Sequence, residues 1–159
     1  MSEAEKLLKL LEKHGWSLAT AESCTGGMAA SDIVDVPGAS EVYKGGVVAY
    51  ANEAKVRALG VREDILEEYG AVSAECAKAM AQGARSRFAA DCAFSTTGVA
   101  GPAGGTPDKP VGTVWIAAAT PVSFRMEQKH FEGTRQSVRR MAVDRAISLL
   151  IETITESDK

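Results

Sequence analysis

The sequence has 159 residues, with 18 Lys plus Arg against 21 Asp plus Glu, a formal net charge of −3 and 45% apolar residues. A chain of this length is expected to fold as one domain around one core, burying roughly 70% of its unfolded surface without needing staples, and its composition excludes disorder. The acidic balance argues against non-specific nucleic-acid binding, and no apolar run approaches the roughly 20 residues of a membrane span.

The start, MSEAEKLLKLLEKHG, is acidic and amphipathic, unlike a signal peptide. Cys24, Cys76 and Cys92 form no CxxC pair, and His14 and His130 are too few for a histidine-rich metal site. The expectation is a soluble cytoplasmic protein with no disulfide framework and no metal.

Ala4, Leu7, Leu8 and Leu11 recur at helical spacing, which predicts a helix over 3–14 ended by Gly15. A short strand is expected over Trp16 to Thr20, then a turn at Glu22 to Gly27 opening a helix over about 25–34. Val42 to Tyr50 reads as a strand, Asn52 as the N-cap of a helix through Leu59, and Arg62 to Glu68 as a further short helix. Ser73 is the expected N-cap of a longer helix to Phe88, lacking a full capping box because Cys76 occupies its third position. Strands follow at Asp91 to Thr97, Gly112 to Thr120 and Phe124 to Phe131, and Thr134 caps a last helix with Val138, Met141, Ala142, Ala146, Leu149 and Leu150 on its apolar face. Alternating strands and helices, with two closely joined late strands, predict an α/β fold: a three-layer α/β/α sandwich with a mixed sheet.

Three segments break local preference, which marks them for function. In the first, Gly26 and Gly27 would weaken the first turn of a helix, but they admit a ligand to backbone N–H groups at the positive end of the helix dipole. Ser23 just ahead is a candidate nucleophile whose oxyanion meets those donors; the alternative is that Ser23 or Thr25 only caps the helix. Cys24 competes as a nucleophile but has few histidines to activate it.

In the second, Lys55 falls at the third helical position if Asn52 is the N-cap. A cation there opposes the dipole, which lowers its pKa as a general base requires; the alternative is a solvated lysine paired with a carboxylate. In the third, the segment from Gly98 to Pro110 holds glycines at 98, 101, 104 and 105 and prolines at 102, 107 and 110. This backbone is able to wrap a ligand, or else forms a long turn. Arg135 and Arg139 share a face at the start of the last helix, suited to a phosphate or carboxylate, or else belong to a solvated basic face with Arg140.

These residues carry a resemblance. Thr20-Ala-Glu-Ser-Cys-Thr-Gly-Gly27, Tyr50-Ala-Asn-Glu-Ala-Lys55, Gly70-Ala-Val-Ser73, Thr97-Gly-Val-Ala-Gly-Pro102 and Lys109-Pro-Val-Gly-Thr-Val114 resemble the C-terminal domain of the competence/damage-inducible CinA family, over residues 4 to 152. Stand-alone members of that family are nicotinamide mononucleotide (NMN) amidohydrolases. The resemblance implies hydrolysis of the NMN carboxamide to nicotinate mononucleotide and ammonia, with Ser23 as nucleophile, Lys55 as base and Tyr50 assisting. The expected substrate contacts are Cys24, Thr25, Gly26 and Gly27, then Gly98, Ala100, Gly101 and Gly105, then Arg135 and Arg139. No cofactor, nucleic acid or membrane partner is implied, and a homo-oligomer is expected. The competing readings are a nucleotide-binding module without catalysis and an interaction protein in a competence or repair assembly.

Overall fold

The computed structural model describes residues 1–159. Its first helix, α1 (Glu3–His14), is fixed at both ends by local chemistry. Ser2 and Glu5 form a reciprocal capping box, and Gly15 takes a left-handed φ of 69° that lets its N–H return to the helix carbonyls. Strand β1 (Leu18–Glu22) begins two residues later than expected and runs to Glu22. Trp16 does not extend: it stacks on His14 at 4.5 Å, and its N–H closes on Leu11.

The expected helix over 25–34 is shorter. Residues 23–27 form a tight turn in which Gly26 and Gly27 have φ of 58° and 103°, and α2 spans only Met28–Val34. The glycines therefore supply left-handed backbone rather than interrupt a helix. A 3-10 turn (Ala39–Glu41) leads to β2 (Tyr43–Val48). Next come α3 (Asn52–Leu59), α4 (Glu63–Tyr69) and α5 (Ala74–Phe88), the last capped by Ser73 as predicted. Asn52 is the first helical residue of α3, not its cap. Ala51 holds the cap position with no side-chain bond, so Lys55 is one position deeper than expected.

The chain closes with β3 (Cys92–Gly98), β4 (Thr113–Ala119), β5 (Phe124–His130) and α6 (Arg135–Ser157), whose Thr134 cap accepts from Ser137 N–H. The sheet order is β2-β1-β3-β4-β5. β2, β1 and β3 are parallel, while β4 runs antiparallel to both β3 and β5, giving the expected mixed sheet.

Side chains alternate across the sheet into two cores. Leu18, Phe94, Val114 and Ile116 pack with α1, α2 and α6 on one face. Ala19, Ala21, Ala93, Ala117 and Ala119 meet Ala77, Met80, Ala81 and Ala84 of α5 on the other. These facing alanines let α5 lie close to the sheet, whereas the first face carries the larger side chains; fully burying Phe94 alone contributes about 1.5–3 kcal/mol. Helices thus cover both faces, as a sheet with central strands buried on both sides requires.

Candidate active site

The carboxyl ends of β1, β2 and β3 converge. β1 connects to β2 on one side of it, while β3 on its other side connects onward to β4. Such a reversal of strand order opens a crevice at the strand ends, where α/β sheets hold ligands. Ser23 is the first residue past β1 and is pinned there by its N–H, which donates to the Thr96 carbonyl of β3 at 2.9 Å.

Lys55 reaches Ser23 from α3. Its Nζ lies 3.1 Å from Ser23 Oγ and 3.1 Å from the Tyr50 carbonyl oxygen. Lys55 is only 2% exposed and Ser23 7% exposed. Burial holds the Lys55 pKa below the ordinary lysine value, partly offset by the neighbouring thiols of Cys76 and Cys24. Its side chain makes no ion pair with a carboxylate, so the solvated-lysine alternative does not describe it. In its neutral form the amine accepts the Ser23 proton along the same 3.1 Å line.

The turn after Ser23 is held from two sides. Glu22, buried at the end of β1, takes Thr25 Oγ1–H at 2.5 Å, Ala29 N–H at 2.8 Å and Ala30 N–H at 3.1 Å. Since the single Thr25 hydroxyl proton goes to the carboxylate, Thr96 Oγ1 donates to Thr25 Oγ1 at 2.7 Å. From the other side Arg139 donates Nε to the Cys24 carbonyl and Nη2 to the Thr25 carbonyl, both at 3.0 Å.

Gly26 N–H returns to Ser23 and Met28 N–H to Thr25, whereas the N–H groups of Cys24, Thr25 and Gly27 meet no protein acceptor. Because a trans peptide sets N–H opposite C=O, Arg139 aims the Thr25 N–H away from itself. Free donors in a tight turn form an anion-binding nest. The amides left unengaged are therefore those of the turn, whereas the Ala29 and Ala30 amides of α2 are already spent on Glu22, which occupies the helix start in place of an external anion.

The remaining candidates fall into distinct roles. The Cys24 thiol is buried, and burial pushes its pKa up to about 11, so it is no thiolate nucleophile. Thr25 is fully buried, backbone included, and its hydroxyl is held between Glu22 and Thr96. The Tyr50 hydroxyl makes no hydrogen bond to Ser23 or Lys55. It accepts from Arg135 Nη2 at 3.0 Å, while its carbonyl positions Lys55. Arg135 also donates Nη1 to the Gly101 carbonyl at 2.7 Å and so ties the glycine-rich loop to Tyr50 across the crevice.

Within that loop the glycines answer first to packing. A Cβ on Gly98 would lie 2.7 Å from the Thr113 carbonyl oxygen, one on Gly105 would lie 2.7 Å from the Val111 nitrogen, and one on Gly101 would collide with the Val111 side chain. Ala100 is buried beneath them. Lys109 anchors the far end on the Tyr69 carbonyl at 2.6 Å. Arg140 lies outside this group, paired with Asp32 and Asp144. Glu22 and Thr96 are site residues that sequence reasoning did not single out. The available signal was a carboxylate at the inner end of a strand with no polar alternation.

The comparisons with known proteins decide the family. A family model for the CinA C-terminal domain matches residues 1–154. The chain belongs to the CinA C-terminal domain family. Among curated relatives, a competence-damage inducible protein of Caldanaerobacter subterraneus is 48% identical over 146 residues, covering 92% of this chain and 35% of the relative. A CinA-like protein of Citrifermentans bemidjiense is 49% identical over 146 residues with the same coverage of 92% and 35%. The chain thus spans about a third of the length of these relatives. Among solved structures, a competence-damaged protein (CinA) superfamily protein from Escherichia coli superposes with a TM-score of 0.92 at 36% identity, covering 95% of this chain and 88% of that one. The competence/damage inducible protein CihA from Agrobacterium tumefaciens gives a TM-score of 0.91 at 36% identity, covering 94% and 92%. The CinA domain fold described above is therefore shared along nearly the whole chain. No helix in it is long and apolar enough to cross a membrane.

Proposed function

We propose that this CinA domain is an amidohydrolase that converts NMN to nicotinate mononucleotide and ammonia through a serine acyl-enzyme. The observation that carries the reading is the buried Lys55 amine 3.1 Å from Ser23 Oγ, beside a turn with unengaged N–H groups. Neutral Lys55 takes the Ser23 proton as Oγ attacks the carboxamide carbon. The oxyanion is held by unengaged N–H groups of the turn beside Ser23. Lys55 then returns the proton to the leaving nitrogen, ammonia departs, and the ester remains on Ser23. Water then attacks the ester carbon as it gives a proton to Lys55, and Lys55 returns that proton to Ser23 Oγ as the ester C–O bond breaks, which releases nicotinate mononucleotide and restores the free serine and neutral amine.

Arg135, at the mouth between Tyr50 and the 98–112 loop, supplies the cation for the substrate phosphate. Arg139, engaged on the turn, serves the nucleophile's geometry instead. No cofactor enters these steps. The reading includes a homo-oligomer acting in the cytoplasm, checked by light scattering and cell fractionation.

The deciding experiment measures ammonia release by the purified protein from NMN, nicotinamide riboside and NAD. Release from NMN in preference to the riboside is expected. No release from any of the three would leave the nucleotide-binding module without catalysis.

A further inference from the structure

On the α5 side of the sheet, the end of α3, the turn into α4 and the outer face of α5 enclose a groove of about 660 Å³ that shares no lining residue with the Ser23 turn. That volume lies in the range of about 300–1,000 Å³ usual for small-ligand sites. Gly83 creates the crossing: a Cβ there would collide with the Leu59 carbonyl oxygen, so the α3–α4 turn presses directly onto α5. The floor is apolar, from Leu59, Ile65 and Ala79, and the rim carries Arg57, Arg62 and Arg87. A second concavity of about 370 Å³ shares Gln82 and Ser86 with the first and adds Arg85. No carboxylate lines either one.

The arginines here differ from those elsewhere in the chain. Arg125, Arg135, Arg139, Arg140 and Arg145 all engage a carboxylate, a carbonyl or a hydroxyl of the protein. In the groove only Arg62 is paired, with Asp64 at 2.6 Å at the surface. Arg85 Nε is buried with no acceptor. Arg57 sits in the last turn of α3, and Arg85 and Arg87 in the last turn of α5, where the helix dipole favours a cation without any paired carboxylate. In a chain of net charge −3, a concave surface with unpaired Arg57, Arg85 and Arg87, and with Asp64 on Arg62 as the one carboxylate paired to a lining arginine, carries a local positive potential.

We propose that this groove is a binding site for a ligand carrying two or more linked phosphates. A single phosphate brings about −1.5 to −2 charge, which leaves part of the cluster uncompensated. Linked phosphates are long enough to reach from Arg57 and Arg87, which line the larger groove, toward Arg85 in the adjoining concavity, and planar guanidiniums grip phosphate oxygens in pairs. The apolar floor provides a seat for a base or sugar attached to them. This site is separate from the Ser23 crevice, and its existence does not depend on NMN turnover.

The test is calorimetric titration of the full chain with inorganic pyrophosphate and with adenosine triphosphate, repeated on Arg57→Gln, Arg87→Gln and Arg85→Gln. Both phosphates are expected to bind, with affinity falling about tenfold or more in each variant and falling further as salt is raised. Equal affinity for the two assigns the site to the phosphates alone, and tighter binding of the nucleotide assigns the floor to its base; both outcomes support the proposal. Amide shifts on titration should centre on Ala79, Gly83 and Ser86. The proposal is overturned if neither phosphate binds, if binding is indifferent to all three variants, or if a glutamate-rich peptide binds the groove and the phosphates do not. Ammonia release from NMN should be unchanged in the three variants without added phosphate, so failure of the amidase reading and failure of this one are read separately.

Discussion

Arg139 donates its Nε to the Cys24 carbonyl at 3.0 Å across a sequence separation of 115 residues. The last helix thus sets the orientation of the Cys24–Thr25 peptide, one residue beyond Ser23. The two arginines four residues apart on α6 therefore differ in what they do: Arg139 faces the turn, and Arg135 faces the crevice mouth.

That division predicts different kinetics for the two. Arg139→Ala should lower kcat for NMN by about tenfold to a hundredfold with little change in KM, because the lost charge-assisted bonds, about 1.5–3 kcal/mol, shape the oxyanion donors. Arg135→Ala should instead raise KM for NMN about tenfold and leave nicotinamide riboside unaffected. Steady-state kinetics on both substrates separates the two, and an identical pattern in both variants refutes the assignment.

Ser23→Ala should reduce hydrolysis by at least about a thousandfold while leaving the melting temperature nearly unchanged. The hydroxyl contacts only Lys55, and Lys55 keeps the Tyr50 carbonyl. Retention of most of the activity would remove the acyl-enzyme from the mechanism.

Lys55 links rate and stability to pH in a defined sense. Burial lowers its folded pKa below that of the unfolded chain, about 10.4. The folded state then binds fewer protons than the unfolded state between those two values, so stability rises with pH across that window. Below it the buried ammonium costs stability in full. Lys55→Met should therefore raise the melting temperature at neutral pH, with the gain fading as pH approaches the unfolded value. The acid limb of kcat/KM should report a group below an ordinary lysine, and Lys55→Arg should be nearly as inactive as Lys55→Met because a guanidinium keeps its proton.

Glu22→Gln keeps the shape but turns an amide N–H₂ toward donors that need an acceptor. It should destabilise the protein by about 1.5–3 kcal/mol in urea unfolding. In a double-mutant cycle with Thr25→Val the two losses should fall short of additive by about 1 kcal/mol, since both remove the same bond.

Much of the architecture is legible from local rules. α1, α5 and α6 announce themselves through caps and a 3.6-residue period, and the β4–β5 pair through a short connection. The Ser23 turn is legible only as an oddity. That its glycines are left-handed, and that its amides remain free, follows from Glu22 and Arg139, whose partners lie far away in sequence or on the opposite side of the turn. The same limit explains the loop glycines, whose small size is dictated by the returning chain, by Val111 at Gly101 and Gly105 and by Thr113 at Gly98. It also explains the Arg57–Arg87 groove, whose members have no common spacing until α3 is laid on α5. Lys55 is legible as a lysine near a helix start; the burial that lowers its pKa is a tertiary fact.

The contacts of Arg135 with Gly101 and Tyr50 bear on how tightly the proposed substrate's phosphate would be held. An anion arriving at the crevice mouth competes with a carbonyl and a phenol already bonded to that guanidinium, so recognition is an exchange of partners. Its net strength is the difference between the two sets of bonds. A product that leaves is replaced at once by the protein's own groups, so the side chain is never left without a partner and release meets less resistance than the charge alone implies.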